Sequence, residues 1–129
     1  MNWNLKMWLV RSTILLMISL GAIWHTSAVL GQQAVQCTAT QKDGSAKWEC
    51  TGMIDLKGPV TIKIKNSAKG DHGFAIDTMK VYEILKPGEE RTITVPIENI
   101  VKTVPQHFVY CHNHGEPHMF ATIKVAGNK

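Results

Sequence analysis

Val60-Thr61-Ile62-Lys63-Ile64-Lys65 alternates apolar and polar side chains for six positions. A period of two places Val60, Ile62 and Ile64 on one face and Thr61, Lys63 and Lys65 on the other. Together with the β-branched content, it predicts a strand buried on one side. Gly58-Pro59 breaks the chain just before it, and Asn66 to Gly70 reads as a polar turn just after. The rest of the sequence repeats this grammar.

Upstream, Val35 to Ile54 reads as a β-hairpin closed by Asp43-Gly44, a pair suited to a two-residue turn with positive φ at both positions. That turn sets Lys42 opposite Ser45, Ala39 opposite Trp48 and Cys37 opposite Cys50. Counted from the turn, the cysteines fall on a non-hydrogen-bonded pair, where Cα atoms approach to about 4.5 Å. A disulfide can span that distance, so Cys37–Cys50 is expected as a structural bridge. Two free thiols or a second soft-metal site are the alternatives.

Downstream, Phe74 to Asp77 suggests a short strand, and Lys86-Pro87-Gly88-Glu89 has the residues of a type II turn. Arg91 to Val95 alternates again, Glu98 to Val104 fits either a loop or a short helix, and Gln106 to Cys111 and Phe120 to Val125 complete the strands. Many short strands with frequent turns predict an all-β fold, an antiparallel β-sandwich.

The first 31 residues do not fit this pattern. Lys6 and Arg11 precede an apolar run from Ile14 to Trp24, and small residues follow at Ser27, Ala28 and Gly31. This is the plan of a signal peptide, with cleavage expected after Ala28 or Gly31; an uncleaved anchor is the alternative. Residues 32–129 are then one small domain. Two of the 14 basic residues and none of the 10 acidic ones lie in the leader, so the formal charge falls from +4 to +2 on its removal. That balance, with no basic tract, excludes an electrostatic nucleic-acid binder.

The chemistry concentrates in Tyr110-Cys111-His112-Asn113-His114-Gly115-Glu116-Pro117-His118-Met119. Cys111, His114 and Met119 form C-x2-H-x4-M, a thiolate, an imidazole and a thioether on one loop, and this soft set suits copper. A trigonal plane of two imidazoles and one thiolate, with a weak axial thioether, lacks one histidine here. His72 in Asp71-His72-Gly73-Phe74 is the best candidate for it. His118 is the alternative fourth ligand. His112 is expected to face solvent, His107 to lie down the strand, and Met79 to belong to core or loop. The thioether and the absence of paired C-x2-C knuckles weigh against zinc. A dinuclear copper centre would need a second loop cysteine, and nucleophilic catalysis by a cysteine and a histidine lacks a recognisable orienting Asn or Asp.

These residues resemble the cupredoxins. Tyr110-Cys111, His114 and Met119, followed by Ile123-Lys124-Val125, are similar to the carboxy-terminal signature of plastocyanin-like proteins. His72 to Asp77 and Leu85 to Glu89 look like nitrosocyanin-like small exported cupredoxins. The resemblance covers residues 58–126. It implies a Greek-key sandwich, one copper ion (Cu+/Cu2+) per chain, and a blue site formed by His72, Cys111, His114 and Met119. Nitrosocyanin has Glu where this chain has His72 and His where it has Met119, so its red, open site does not carry over. Pro105-Gln106 also replaces the Pro-Gly turn common in plastocyanins.

The expectation is an exported, periplasmic or extracytoplasmic electron carrier and not an enzyme, because four ligands leave no open position for substrate. Transient contact with redox partner proteins is expected near His114, in an apolar patch including Pro117 and Phe74. A copper carrier or store, and an open-site copper enzyme or sensor using His118, are the alternatives.

Overall fold

A computed structural model describes residues 34–127. The expected signal peptide, residues 1–31, lies outside them. Among the described residues, nine strands run in the order β1 (Val35–Lys42), β2 (Ser45–Thr51), β3 (Met53–Ile54), β4 (Val60–Asn66), β5 (His72–Ile76), β6 (Val81–Leu85), β7 (Glu90–Val95), β8 (Gln106–Cys111) and β9 (His118–Val125). Short 3-10 turns at Asp77–Met79 and Ile97–Asn99 are the helical elements among the described residues.

The strands form two sheets, ordered β2-β1-β4-β7 and β3-β9-β8-β5-β6. One hydrophobic core lies between them. Val35, Cys37, Trp48, Ile62 and Ile64 of the first sheet meet Phe74, Ile76, Leu85, Val109 and Ile123 of the second. Trp48 and Phe74 join the layers edge to face, with ring centroids 4.9 Å apart. Burying large aromatic and branched side chains supplies the main drive to fold.

The hairpin has the expected register: Asp43 and Gly44 both take positive φ, and Cys37 lies opposite Cys50. Their Cα atoms are 4.1 Å apart and the disulfide is formed. The hairpin ends sooner than the sequence reading had it. Gly52, at φ 94°, turns the chain out of the first sheet, so Met53 and Ile54 pair with β9 in the second. A Cβ at Gly52 would come within 3.3 Å of the Ala34 carbonyl and the Val35 Cα, so glycine fits this crossing best.

The expectation of a wholly antiparallel arrangement is corrected as well. β1 pairs with β4, and β3 with β9, in parallel. After the hairpin the chain visits the opposite sheet before returning on the far side of β1, and it returns running in the same direction as β1. β6 escaped the sequence reading, although Val81 and Leu85 face inward at its two ends.

The type II turn is present, with Gly88 at φ 79° and Glu89 N–H donating to the Lys86 carbonyl at 3.0 Å. The stretch 98–104 begins in a 3-10 turn and continues as a loop. Asn66, assigned from sequence to a polar turn, is instead the fully buried last residue of β4.

Candidate metal centre

Strand β5, between β8 and β6 in the second sheet, is buried along its whole length. Phe74 and Ile76 face the core, while Gly73 and Ala75 face outward and are covered by neighbours. Ala75 is flanked in register by Tyr82 and Tyr110. A Cβ added to Gly73 would lie 2.7 Å from His112 Nδ1, 2.8 Å from His112 N and 3.0 Å from Asn113 N. The loop after β8 therefore sits directly on the start of β5. Only a residue without a side chain permits that approach.

This contact gathers the site. His72 opens β5, Cys111 ends β8, His114 lies in the loop and His118 opens β9. One ligand atom from each of these four falls within 4.8 Å of all the others. His72 and Cys111 are buried, His118 is half-buried and His114 is exposed. The His114 ring stands 5.7 Å, centroid to centroid, from both His72 and His118.

The hydrogen bonds orient these donors. His72 Nε2 donates to the Lys69 carbonyl at 2.9 Å, which leaves Nδ1 unprotonated; that atom is buried and has no hydrogen-bond partner. A buried acceptor without a partner is costly, and a metal ion would satisfy it. Burial holds the His72 pKa below the usual histidine range, with the nearby His114 and His118 adding to the effect and the Lys69 carbonyl opposing it. The imidazole is therefore held in the neutral form that a metal requires. Cys111 Sγ accepts the Gly73 N–H at 3.1 Å and lies 3.9 Å from His114 Nδ1. His118 Nδ1 donates to the Glu116 carbonyl at 3.0 Å, which leaves its Nε2 free. A thiolate with three imidazoles fits a borderline or soft ion, copper or zinc, and not magnesium or calcium.

Asn66 braces the loop carrying His72. Its amide donates to the Gly70 carbonyl at 2.9 Å and the Leu85 carbonyl at 3.0 Å, and its Oδ1 accepts from Ala68 N at 3.0 Å. Trp48 Nε1 donates to the Gly73 carbonyl at 2.9 Å, tying the other sheet to the site. Sequence reasoning missed Asn66, Gly73 and Trp48. For Asn66 a signal was present, since position 66 continues the inward parity of 60, 62 and 64. Gly73 and Trp48 gave no comparable signal, because their role depends on contacts between sheets.

Met119 is buried at 6 % exposure and packs into the core cluster beside the site. His107 lies off the site, fully buried, with Nδ1 2.7 Å from Thr78 Oγ1, and Met79 belongs to the core. His112 stays outside the four-residue cluster and meets Tyr82 edge-on, at a centroid distance of 6.1 Å. It is only half exposed, with Nδ1 buried, so it does not face solvent freely. Phe74 is fully buried beneath Trp48 and cannot belong to a surface patch; His114 and Pro117 remain exposed there.

Tyr110, the residue before Cys111, donates to Asp77 Oδ1 at 2.8 Å, as does Tyr82 at 3.0 Å. The Asp77 bond and burial push the Tyr110 pKa up to about 12, so the phenol keeps its proton. Neither family models nor curated proteins match this chain.

Proposed function

We propose that this chain is an exported, cupredoxin-like protein that binds one copper ion and carries single electrons between larger redox proteins. The observation that carries this reading is the convergence of His72, whose buried Nδ1 has no partner, with Cys111, His114 and His118 in one cluster. These side chains would hold the ion, with a fourth donor from His118 or Met119 at the start of β9. Bound copper supplies a one-electron exchange between its two oxidation states.

The protein's own residues do the remainder. The Lys69 carbonyl fixes the His72 tautomer, and Gly73 N–H holds the thiolate in place. The core behind Cys111 excludes water. Donors fixed on a packed scaffold change little between oxidation states, which keeps the cost of moving an electron low. His114 is the exposed ligand and, beside Pro117, offers the exit toward a partner. The two-sheet architecture and strand order support the Greek-key cupredoxin reading, and the Cys37–Cys50 disulfide supports an oxidising, exported setting.

The test is to load the domain with Cu(II) and cycle it between oxidation states. An intense thiolate-to-copper absorption band is expected, abolished by Cys111→Ser, with copper retained through repeated cycles. Release of copper on reduction would favour a copper carrier or store. Turnover of a small molecule at an exchangeable position would favour an open-site enzyme or sensor. The cluster of one cysteine and three histidines also suits tetrahedral zinc. Purification with stoichiometric zinc that copper does not displace would support that second reading.

A further inference from the structure

Strand β9 contains an irregularity that sets its donors. Val109 pairs with Ala121, but Cys111 pairs with His118. Between these pairs β8 has only Tyr110, while β9 has both Met119 and Phe120. The extra residue is a β-bulge, and Met119 takes its left-handed conformation at φ 59°. A non-glycine residue there is strained, and such strain persists only where the surroundings impose it.

The bulge changes which side chains face the site. Beyond it, Met119, Ala121, Ile123 and Val125 turn inward and Phe120, Thr122 and Lys124 turn outward. Strict alternation would then turn His118 outward. His118 is instead the cross-strand partner of Cys111, and its side chain joins the ligand cluster. The bulge thus places two consecutive residues, an imidazole and a thioether, on the cysteine side of the strand. The Glu116 carbonyl holds the imidazole with Nε2 free, as it would for a ligand.

We infer that His118 is a ligand of the oxidised ion, so that Cu(II) is held by Cys111 and the imidazoles of His72, His114 and His118, with Met119 a remote thioether. This rests on the proposed copper site and specifies its fourth position. The chemistry of the donors decides the competition, because Cu(II) prefers imidazole nitrogen to thioether sulfur. A third imidazole moves the ion away from the weak-axial limit, so the oxidised site is green to red and not pure blue.

The experiment compares Cu(II)-loaded wild type, His118→Gln and Met119→Leu by absorption and by pulsed paramagnetic resonance that counts coordinated imidazoles. Three imidazoles are expected in wild type and in Met119→Leu, and two in His118→Gln, whose absorption should shift toward blue. Thermal melts of the metal-free variants check that each one folds. Two imidazoles in wild type, with a spectrum moved by Met119→Leu alone, would overturn the assignment while leaving the copper site standing. Absence of any thiolate-to-copper band in wild type would overturn both.

Discussion

At the scale of single residues, the candidate site depends on groups outside its donor cluster. Asn66→Ala removes three side-chain hydrogen bonds and strands the Gly70 and Leu85 carbonyls and the Ala68 N–H. The expected cost is about 2–3 kcal/mol in denaturant unfolding, because buried polar groups are left unpaired. Gly73→Ala should act on the metal instead. Its Cβ would press on the backbone of His112 and Asn113, displacing the loop from Cys111. Metal affinity should fall by about 10–100-fold, the range seen when groups supporting ligands are disturbed, and a competition titration measures it. Unchanged affinity would show that the loop yields without moving its ligands. His107 makes the metal-free protein sensitive to acid. Burial lowers its pKa below the ordinary 6.5, so the unfolded chain takes up this proton while the native state resists it. The penalty is absent well above pH 6.5 and grows as pH falls toward the depressed native value. His72 adds to it with the same sign. The Tm should drop between about pH 7.5 and 5.5, and by less in His107→Gln; equal drops would place the sensitivity elsewhere.

At the scale of elements, the parts of the fold legible in the sequence were those set by local periodicity and turn chemistry. Asp43-Gly44 determined the hairpin register, and the alternation of 60–65 determined which face of β4 is buried. The parallel pairings were not legible, since they depend on Gly52 sending the chain into the other sheet. The sequence singled out His72, Cys111, His114 and Met119 as donors, with His118 as the alternative fourth, and the cluster that forms gathers His72, Cys111, His114 and His118 in a geometry that was not legible. No rule of alternation predicts that a methionine will take a left-handed conformation and bring His118 onto the cysteine face. Phe74, exposed by expectation and buried in fact, was misjudged because β5 is covered on both faces. The disulfide lies outside the candidate donor cluster. Cys37 and Cys50, 13 residues apart, close a loop whose constraint on the unfolded chain is worth about 3 kcal/mol. Replacing both cysteines with alanine should lower stability by roughly that amount and leave the thiolate-to-copper band unchanged. Loss of the band would mean that the first sheet positions the ligands directly.

For the whole molecule, the candidate ligands divide unevenly between the folded and unfolded chain. Cys111, His114 and His118 lie within eight residues of one another and remain close in an unfolded chain. His72 joins them only through the packing of β5 beside β8, the contact in which Gly73 N–H reaches Cys111 Sγ across 38 residues of sequence. A ligand that bound only the native state would stabilise it by about 4 kcal/mol at a thousandfold excess over Kd, and binding to the unfolded chain reduces that figure. The unfolded loop keeps three donors, so copper should stabilise this domain by less than mass action alone predicts. What it does contribute should depend on His72. One kcal/mol corresponds to about 4–8 °C for a domain of this size, so the effect is within reach of a thermal melt. Copper should raise the wild-type Tm by several degrees and that of His72→Ala hardly at all, even where the variant still binds the ion. Equal rises in both proteins would show that the loop alone carries the stabilisation and that His72 is not a ligand.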